Sequence, residues 1–337
     1  MSDSVTTLPQ RSSRSGSGRG DAHKASPRSD RARADWRKRF EIAILSGPAI
    51  VMFLAFVIFP VFMAAYYGFF RWKGFGVPTN FIGFQNYVAI FNDPNFREAL
   101  MHNGFILVMS LVMQGPAAVA FALLLNQNIR GRSLIRVLIF VPYVISEVIV
   151  GTGWGLMLQY TGAVNDMLTN MGLGAFAHDW IADPNIAIWT LMVIISWKYI
   201  GFAVILMLAG IQGIPEELYE AAAIDGASYW QIQRWITLPL LGPTIRVWAF
   251  LSIIGSLQLF DLVYIIWGQY VASTAGTSTM ATYMVREGRL AGNYGFGNAV
   301  AVVIFVISLA IALTYQRLVL RRDTAGALTE APGKKQN

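Results

Sequence analysis

Six stretches of this sequence are continuous apolar runs of membrane-spanning length: residues 42–67, 103–125, 136–158, 187–211, 243–267 and 297–320. A helix needs about 20 mostly apolar residues to cross a hydrocarbon core ~30 Å thick. Inside that core each backbone N–H and C=O must be satisfied by the chain itself, which leaves helices or a closed barrel. These runs are unbroken rather than alternating, so an outer-membrane barrel does not fit. The sequence therefore reads as an all-α membrane protein with six transmembrane helices. Only 13% of the residues are charged and 55% are hydrophobic, against about 25% charged in a soluble domain. That excludes a soluble enzyme, a secreted disulfide scaffold and a disordered regulator.

The basic residues orient the spans. Twenty of the 26 Lys and Arg lie in residues 1–40, in loops 126–136 and 212–246, and after 316. Five lie in the opposite loops: Arg71, Lys73, Arg97, Arg286 and Arg289. Lys198 alone falls inside a span. Positive charge stays on the cytoplasmic side, so both termini are expected in the cytoplasm, with the chain multi-pass in a plasma membrane. Residues 1–40 are rich in Ser, Arg, Gly and Asp and too poor in apolar side chains to form a core, so they read as a disordered basic tail. They also lack the apolar stretch of a cleavable signal peptide. The membrane-spanning body then covers 41–322, and 323–337 is a second cytoplasmic tail. The chain has no Cys and three scattered His, so neither a thiolate site nor a His metal cluster is expected. No G-x-x-x-x-G-K-[ST] string occurs, so ATP binding through a P-loop is excluded, and the basic tail needs no nucleic-acid partner.

The loop between the fourth and fifth spans carries the most specific pattern. Residues 213–243 read GIPEELYEAAAIDGASYWQIQRWITLPLLGP. Pro215 suits the first position of a helix, and Glu216 and Glu217 suit its positive N-terminal end. Leu218, Ala221, Ala222 and Ile224 form a small apolar face, Gly226 ends the helix, and a second helix is expected from about Ser228 to Ile236, stopped by Pro239. Two readings follow from the residues alone. The pair is either a plug for a groove on a partner protein or an amphipathic connector lying on the membrane.

The string Glu220-Ala221-Ala222, three residues, Gly226, nine residues, Ile236, one residue, Leu238-Pro239 matches at every fixed position the EAA loop of permease subunits of binding-protein-dependent ABC importers. Residues 81–103, with Phe81-x-Gly83-x-x-Asn86-Tyr87 and Phe91-x-Asp93-x-x-Phe96, and residues 260–264 (FDLVY) resemble the maltose-type sugar branch. The likeness covers roughly residues 42–320. One departure is WGQYV at 267–271, where that branch often carries Thr-x-Gly-Gly-Pro.

What the resemblance implies is a type I ABC importer permease (MetI-like) architecture that moves a disaccharide or oligosaccharide inward by alternating access. It implies a second permease subunit, two ATPase subunits and an external solute-binding protein as partners. ATP and Mg would be bound by the ATPase, with no cofactor and no catalytic residue in this chain. The coupling loop would span 212–242 and use Glu216, Glu217, Leu218, Glu220, Ala221, Ala222, Asp225, Gly226, Ile236, Leu238 and Pro239. The alternatives are the same importer carrying a polyol or glycerol phosphate, and an ion-driven secondary transporter. A phosphate cargo would favour Arg in the pathway, and no Arg lies mid-span.

Ionisable groups inside spans are costly and hence functional candidates. Glu147, Lys198 and Asp261 fall ~16, ~20 and ~22 Å from the cytoplasmic end at 1.5 Å per residue. Tyr143 lies one turn before Glu147, expected on the same helix face. Trp197 and Tyr199 flank Lys198, and Ser256 and Gln258 precede Asp261. Aromatic faces with a few polar groups suit a polyhydroxyl solute. Tyr143, Glu147 and Trp197 also fall at positions that resemble sugar contacts in the maltose-type permease. The alternative for Glu147 and Lys198 is a structural ion pair between neighbouring helices, and for Asp261 a structural role at a kink. Gly151 and Gly155 form a G-x-x-x-G expected to mark close packing. Tyr66, Tyr67, Trp72, Trp180, Trp189 and Trp267 read as interface belts.

Overall fold

The computed structural model describes residues 41–320. The two expected tails lie outside the described residues. The chain divides into two units, Met1–Pro60 and Val61–Asn337. The described part of the first, residues 41–60, is helical and has no buried residue. Among the described residues five helices are long and apolar enough to cross a membrane, and a bent pair makes a sixth. No strand occurs among them; Phe70 and Phe81 share one isolated bridge.

In chain order these are α1 (Glu41–Tyr67), α2 (Gln85–Asn92), α3 (Pro94–Asn126), α4 (Arg132–Val144), α5 (Glu147–Met157), α6 (Ala163–Asn170) and α7 (Ala187–Gln212). Then come α8 (Glu216–Ile224), α9 (Tyr229–Ile232), α10 (Gly242–Leu257), α11 (Asp261–Thr274), α12 (Met280–Val285) and α13 (Tyr294–Val319). Asp93 caps α3 by accepting from the Asn95 backbone N–H, with Pro94 next at a position where its missing N–H costs nothing.

Proline shapes the helices in a consistent way. π-turns at Leu54–Ile58, Ser110–Gln114 and Gln233–Thr237 each end two residues before a proline, at Pro60, Pro116 and Pro239. Proline has no N–H and its ring pushes on the carbonyl four residues back. A widened turn takes up that clash without ending the helix.

The third expected span is not one rod. α4 and α5 meet at 95°. Pro142 leaves a backbone bond unmade near the end of α4, Ile145 is extended, and the Ser146 hydroxyl caps α5 by accepting from Val148 N–H. Tyr143 and Glu147 therefore sit on two different helices, not on one face as the spacing suggested. The fifth span is also interrupted, between Leu257 and Asp261.

Three apolar clusters hold the second unit. One joins Val150 of α5, Leu191, Met192, Ile194 and Ile195 of α7, and Leu262, Val263 and Trp267 of α11. Another joins Phe96 of α3, Tyr283 of α12 and Val300 of α13. The third packs Ala118 and Ala122 of α3 against Ala203, Val204 and Met207 of α7, with Trp248 of α10. Small residues let these backbones approach. A Cβ at Gly151 would come within 2.7 Å of Ile265, while Gly155 is looser, 4.0 Å from the Ile266 Cα. Trp267 is not a belt residue: it is 2% exposed and its indole N–H donates to Ile181 O at 2.7 Å. Trp180 likewise donates to Asn165 Oδ1. Tyr66 and Trp189 are exposed.

Candidate functional site

The 213–241 loop folds into two short helical segments. Pro215 occupies the N-cap of α8, one place earlier than expected, with ψ 133°. Asp225 is the C-cap and Gly226 turns left-handed at φ 76°. The Ala227 N–H then bonds Ala222 O at 2.9 Å, and the Gly226 N–H bonds Ala223 O at 3.1 Å. This is a Schellman stop, which a residue with a Cβ adopts only with strain. Ser228 and Gln231 form a capping box that starts α9. Pro239 does not stop the second helix. The π-turn before it lets the helical run continue through Leu238–Leu240.

α8 has two faces. Tyr219 and Ala222 turn inward, Ala222 buried and the Tyr219 hydroxyl 3.3 Å from Thr237 Oγ1. Glu217, Glu220, Ala221 and Ile224 share the outward face, with Ile224 86% exposed. The apolar face drawn from sequence thus splits: Ala222 belongs to the packed side, and Leu218 lies half exposed at the edge. Glu216, Asp225, Leu238 and Pro239 are exposed, and Ile236 is half-buried. Asp225, Gly226 and Ile236 line an open hollow with Trp235, itself 71% exposed. At the base, Gln127 Nε2 donates to the Tyr229 hydroxyl at 2.7 Å, tying α9 to the end of α3.

The second site is a cavity of about 240 Å³ between α3, α4, α7 and α10. Tyr143, Tyr199 and Ser256 line it, as expected; Ser110, Gln114, Trp248 and Ser252 join them. Ser110 and Gln114 bound the π-turn of α3. Ser110 Oγ lies 2.9 Å from Ser252 Oγ, and Gln114 Nε2 donates to Ser196 Oγ at 3.4 Å. Tyr143 stacks on Phe202 at 5.2 Å. Asn103, fully buried, fixes the wall by donating to Ser256 O at 2.7 Å and accepting from Met280 N–H at 2.8 Å.

Glu147 and Lys198 sit at the break between α4 and α5. The Lys198 ammonium donates to Ile145 O at 2.7 Å and lies 3.5 Å from Glu147 Oε1. That oxygen also accepts from the Tyr199 hydroxyl at 2.7 Å. A cation on the last carbonyls of α4 and a carboxylate at the N-terminus of α5 each suit the helix end they touch. The ion pair foreseen as an alternative is therefore formed, and it bridges the break. Trp197, packed edge-on against Trp154 at 5.6 Å, does not line the cavity, nor do Gln258 and Asp261, both exposed. Asp261 opens α11 just past the interruption.

A family model described as the binding-protein-dependent transport system inner membrane component matches residues 114–323. The chain belongs to that family. It is a multi-pass ABC transporter permease of all-α fold. The trehalose/maltose transport system permease protein MalF of Thermococcus litoralis is 30% identical over 278 residues, covering 82% of this chain and 92% of that one. The sulfoquinovosyl glycerol transport system permease protein SmoG of Agrobacterium fabrum is 32% identical over 294 residues, 86% and 93% of the two chains. A bacterial alginate ABC transporter, solved in complex with an alginate pentasaccharide-bound periplasmic protein, is similar at a TM-score of 0.74 and 27% identity. It covers 86% of this chain and 96% of its own.

Proposed function

We propose that this chain is one of two permease subunits of an ATP-driven importer and moves a disaccharide or oligosaccharide into the cytoplasm by alternating access. Two separate ATPase subunits bind ATP and Mg, and an external solute-binding protein delivers the cargo. The observation that carries the coupling claim is the outward face of α8. Glu217, Glu220, Ala221 and Ile224 stand exposed on a helix stopped by a Schellman turn, and the capping box of α9 follows directly after it. A helix ended by a fixed turn and joined directly to a second capped helix suits the transmission of a push, as a rigid-body rearrangement requires. The excess of Lys and Arg on this loop and both termini supports a cytoplasmic location for them, on the side where ATP is.

The saccharide cargo is supported by the names of the similar proteins and by the chemistry of the cavity wall. Tyr143, Tyr199 and Trp248 offer aromatic faces for sugar rings, and Ser110, Gln114, Ser252 and Ser256 offer polar groups for hydroxyls. Affinity purification from the native membrane should recover an ATPase, a second permease and a solute-binding protein, and the reconstituted set should take up saccharide only with ATP. Recovery of this chain alone, with ion-driven uptake, would overturn the proposal.

A further inference from the structure

A charged cargo crossing the low-dielectric interior needs an opposite charge on the wall. The hydrogen-bonding side chains of this cavity, Ser110, Gln114, Tyr143, Tyr199, Ser252 and Ser256, are all uncharged at neutral pH. One lysine lies inside a described span, and its charge is withheld. Lys198 is 2% exposed, its ammonium donates to Ile145 O, and Glu147 Oε1 stands 3.5 Å away.

Glu147 does a second thing. By accepting from the Tyr199 hydroxyl it engages the phenol of a residue that lines the cavity. Lys198 lies 5.6 Å from the centre of the same ring. Tyr199 thus links the cavity wall to both the carboxylate and the ammonium.

Resting on the saccharide-permease reading, we infer that Glu147 locks Lys198 out of the translocation path, and that this half of the path thereby selects neutral saccharides over anionic ones. Glu147 is on this account a specificity residue acting through Lys198 and Tyr199. The pair also explains how an ammonium can be held so deep: it costs little only when hydrogen-bonded and paired.

The test uses the assembled importer in lipid nanodiscs, without its binding protein, and saturation-transfer NMR with two probes of equal length, maltotriose and trigalacturonate. The wild type should favour maltotriose. Glu147→Gln should raise relative trigalacturonate binding by about tenfold or more, since it leaves a buried cation unpaired. Glu147→Gln combined with Lys198→Gln should restore the neutral preference. Equal binding of both probes to the wild type would overturn the lock while leaving the saccharide reading intact. An unchanged probe ratio in an assembled Glu147→Gln importer would do the same. No signal from either probe would remove the saccharide reading and the lock with it. The wild-type comparison decides even if a variant fails to assemble.

Discussion

Replacing Lys198 by Met should destabilise the permease far more than an ordinary conservative change in a span. The substitution keeps the length and apolar stem of the side chain but strips the ammonium from Ile145 O and Glu147. Breaking one partner of a buried ion pair costs about 3–5 kcal/mol. Part of that is the freed Ile145 carbonyl, about 1–3 kcal/mol if it finds no donor. Glu147 keeps the Tyr199 hydroxyl, which holds the figure toward the lower end. Thermal melting in detergent should fall by several degrees, on the order of 2–4 °C per kcal/mol. The decisive variant is Glu147→Gln/Lys198→Met, which removes both charges and should recover a large part of the loss. Melting of Lys198→Met within a degree of wild type would refute the bridging role. So would a double variant whose loss is the sum of the two singles.

Ile224→Asp puts a charge on the outward face of α8, where it meets nothing in this chain; ATPase co-purification should fall by about tenfold or more, as for a buried interface anchor, with melting unchanged. Tyr143→Ala removes one aromatic wall of the cavity, so uptake should drop while ATPase assembly persists, measured by transport in proteoliposomes. Asp93 gives a pH prediction. Burial raises its pKa, but hydrogen bonds from Tyr283 and Asn95 and the charge of Arg286 outweigh that and leave it below its ordinary 3.8. Its stabilisation is present above 3.8 and is lost as pH falls through the lower folded value. Asp93→Asn should flatten the acid limb of a melting-versus-pH curve, and an unchanged limb would count against the assignment.

The spans were legible because lipid permits so few backbone solutions: a long apolar run must be helical. The stop at Gly226 was legible too, since only glycine takes φ 76° cheaply. The break between α4 and α5 was missed although its signals stand in the sequence. Ser146-Glu147 is an N-cap followed by a first-turn acid, and Pro142 lies just before, all inside an apolar run that reads as one helix by hydropathy. Pro239 misled in the opposite sense, because a π-turn can absorb a proline that would otherwise end a helix.

The cavity was half legible. Tyr143, Tyr199 and Ser256 carried enough polarity to stand out, whereas Ser110 and Gln114, four apart on α3, and Ser252, four before Ser256, were hidden in apolar runs. That spacing of weakly polar residues on one helical face was the available signal. Trp197, Gln258 and Asp261 lie at similar depths, but depth along a helix does not fix direction around it.

The absence of cysteine from the sequence makes one measurement especially direct. A single Cys introduced at Ile224, on the outward face of α8, and another at Ala222, on the packed face, can each be tested with a thiol crosslinker in membranes holding the native ATPase. The account predicts that Ile224→Cys captures the ATPase, that ATP changes the yield, and that Ala222→Cys does not crosslink. An Ile224→Cys chain that crosslinks to no ATPase, or equal capture from both positions, would contradict docking through this face.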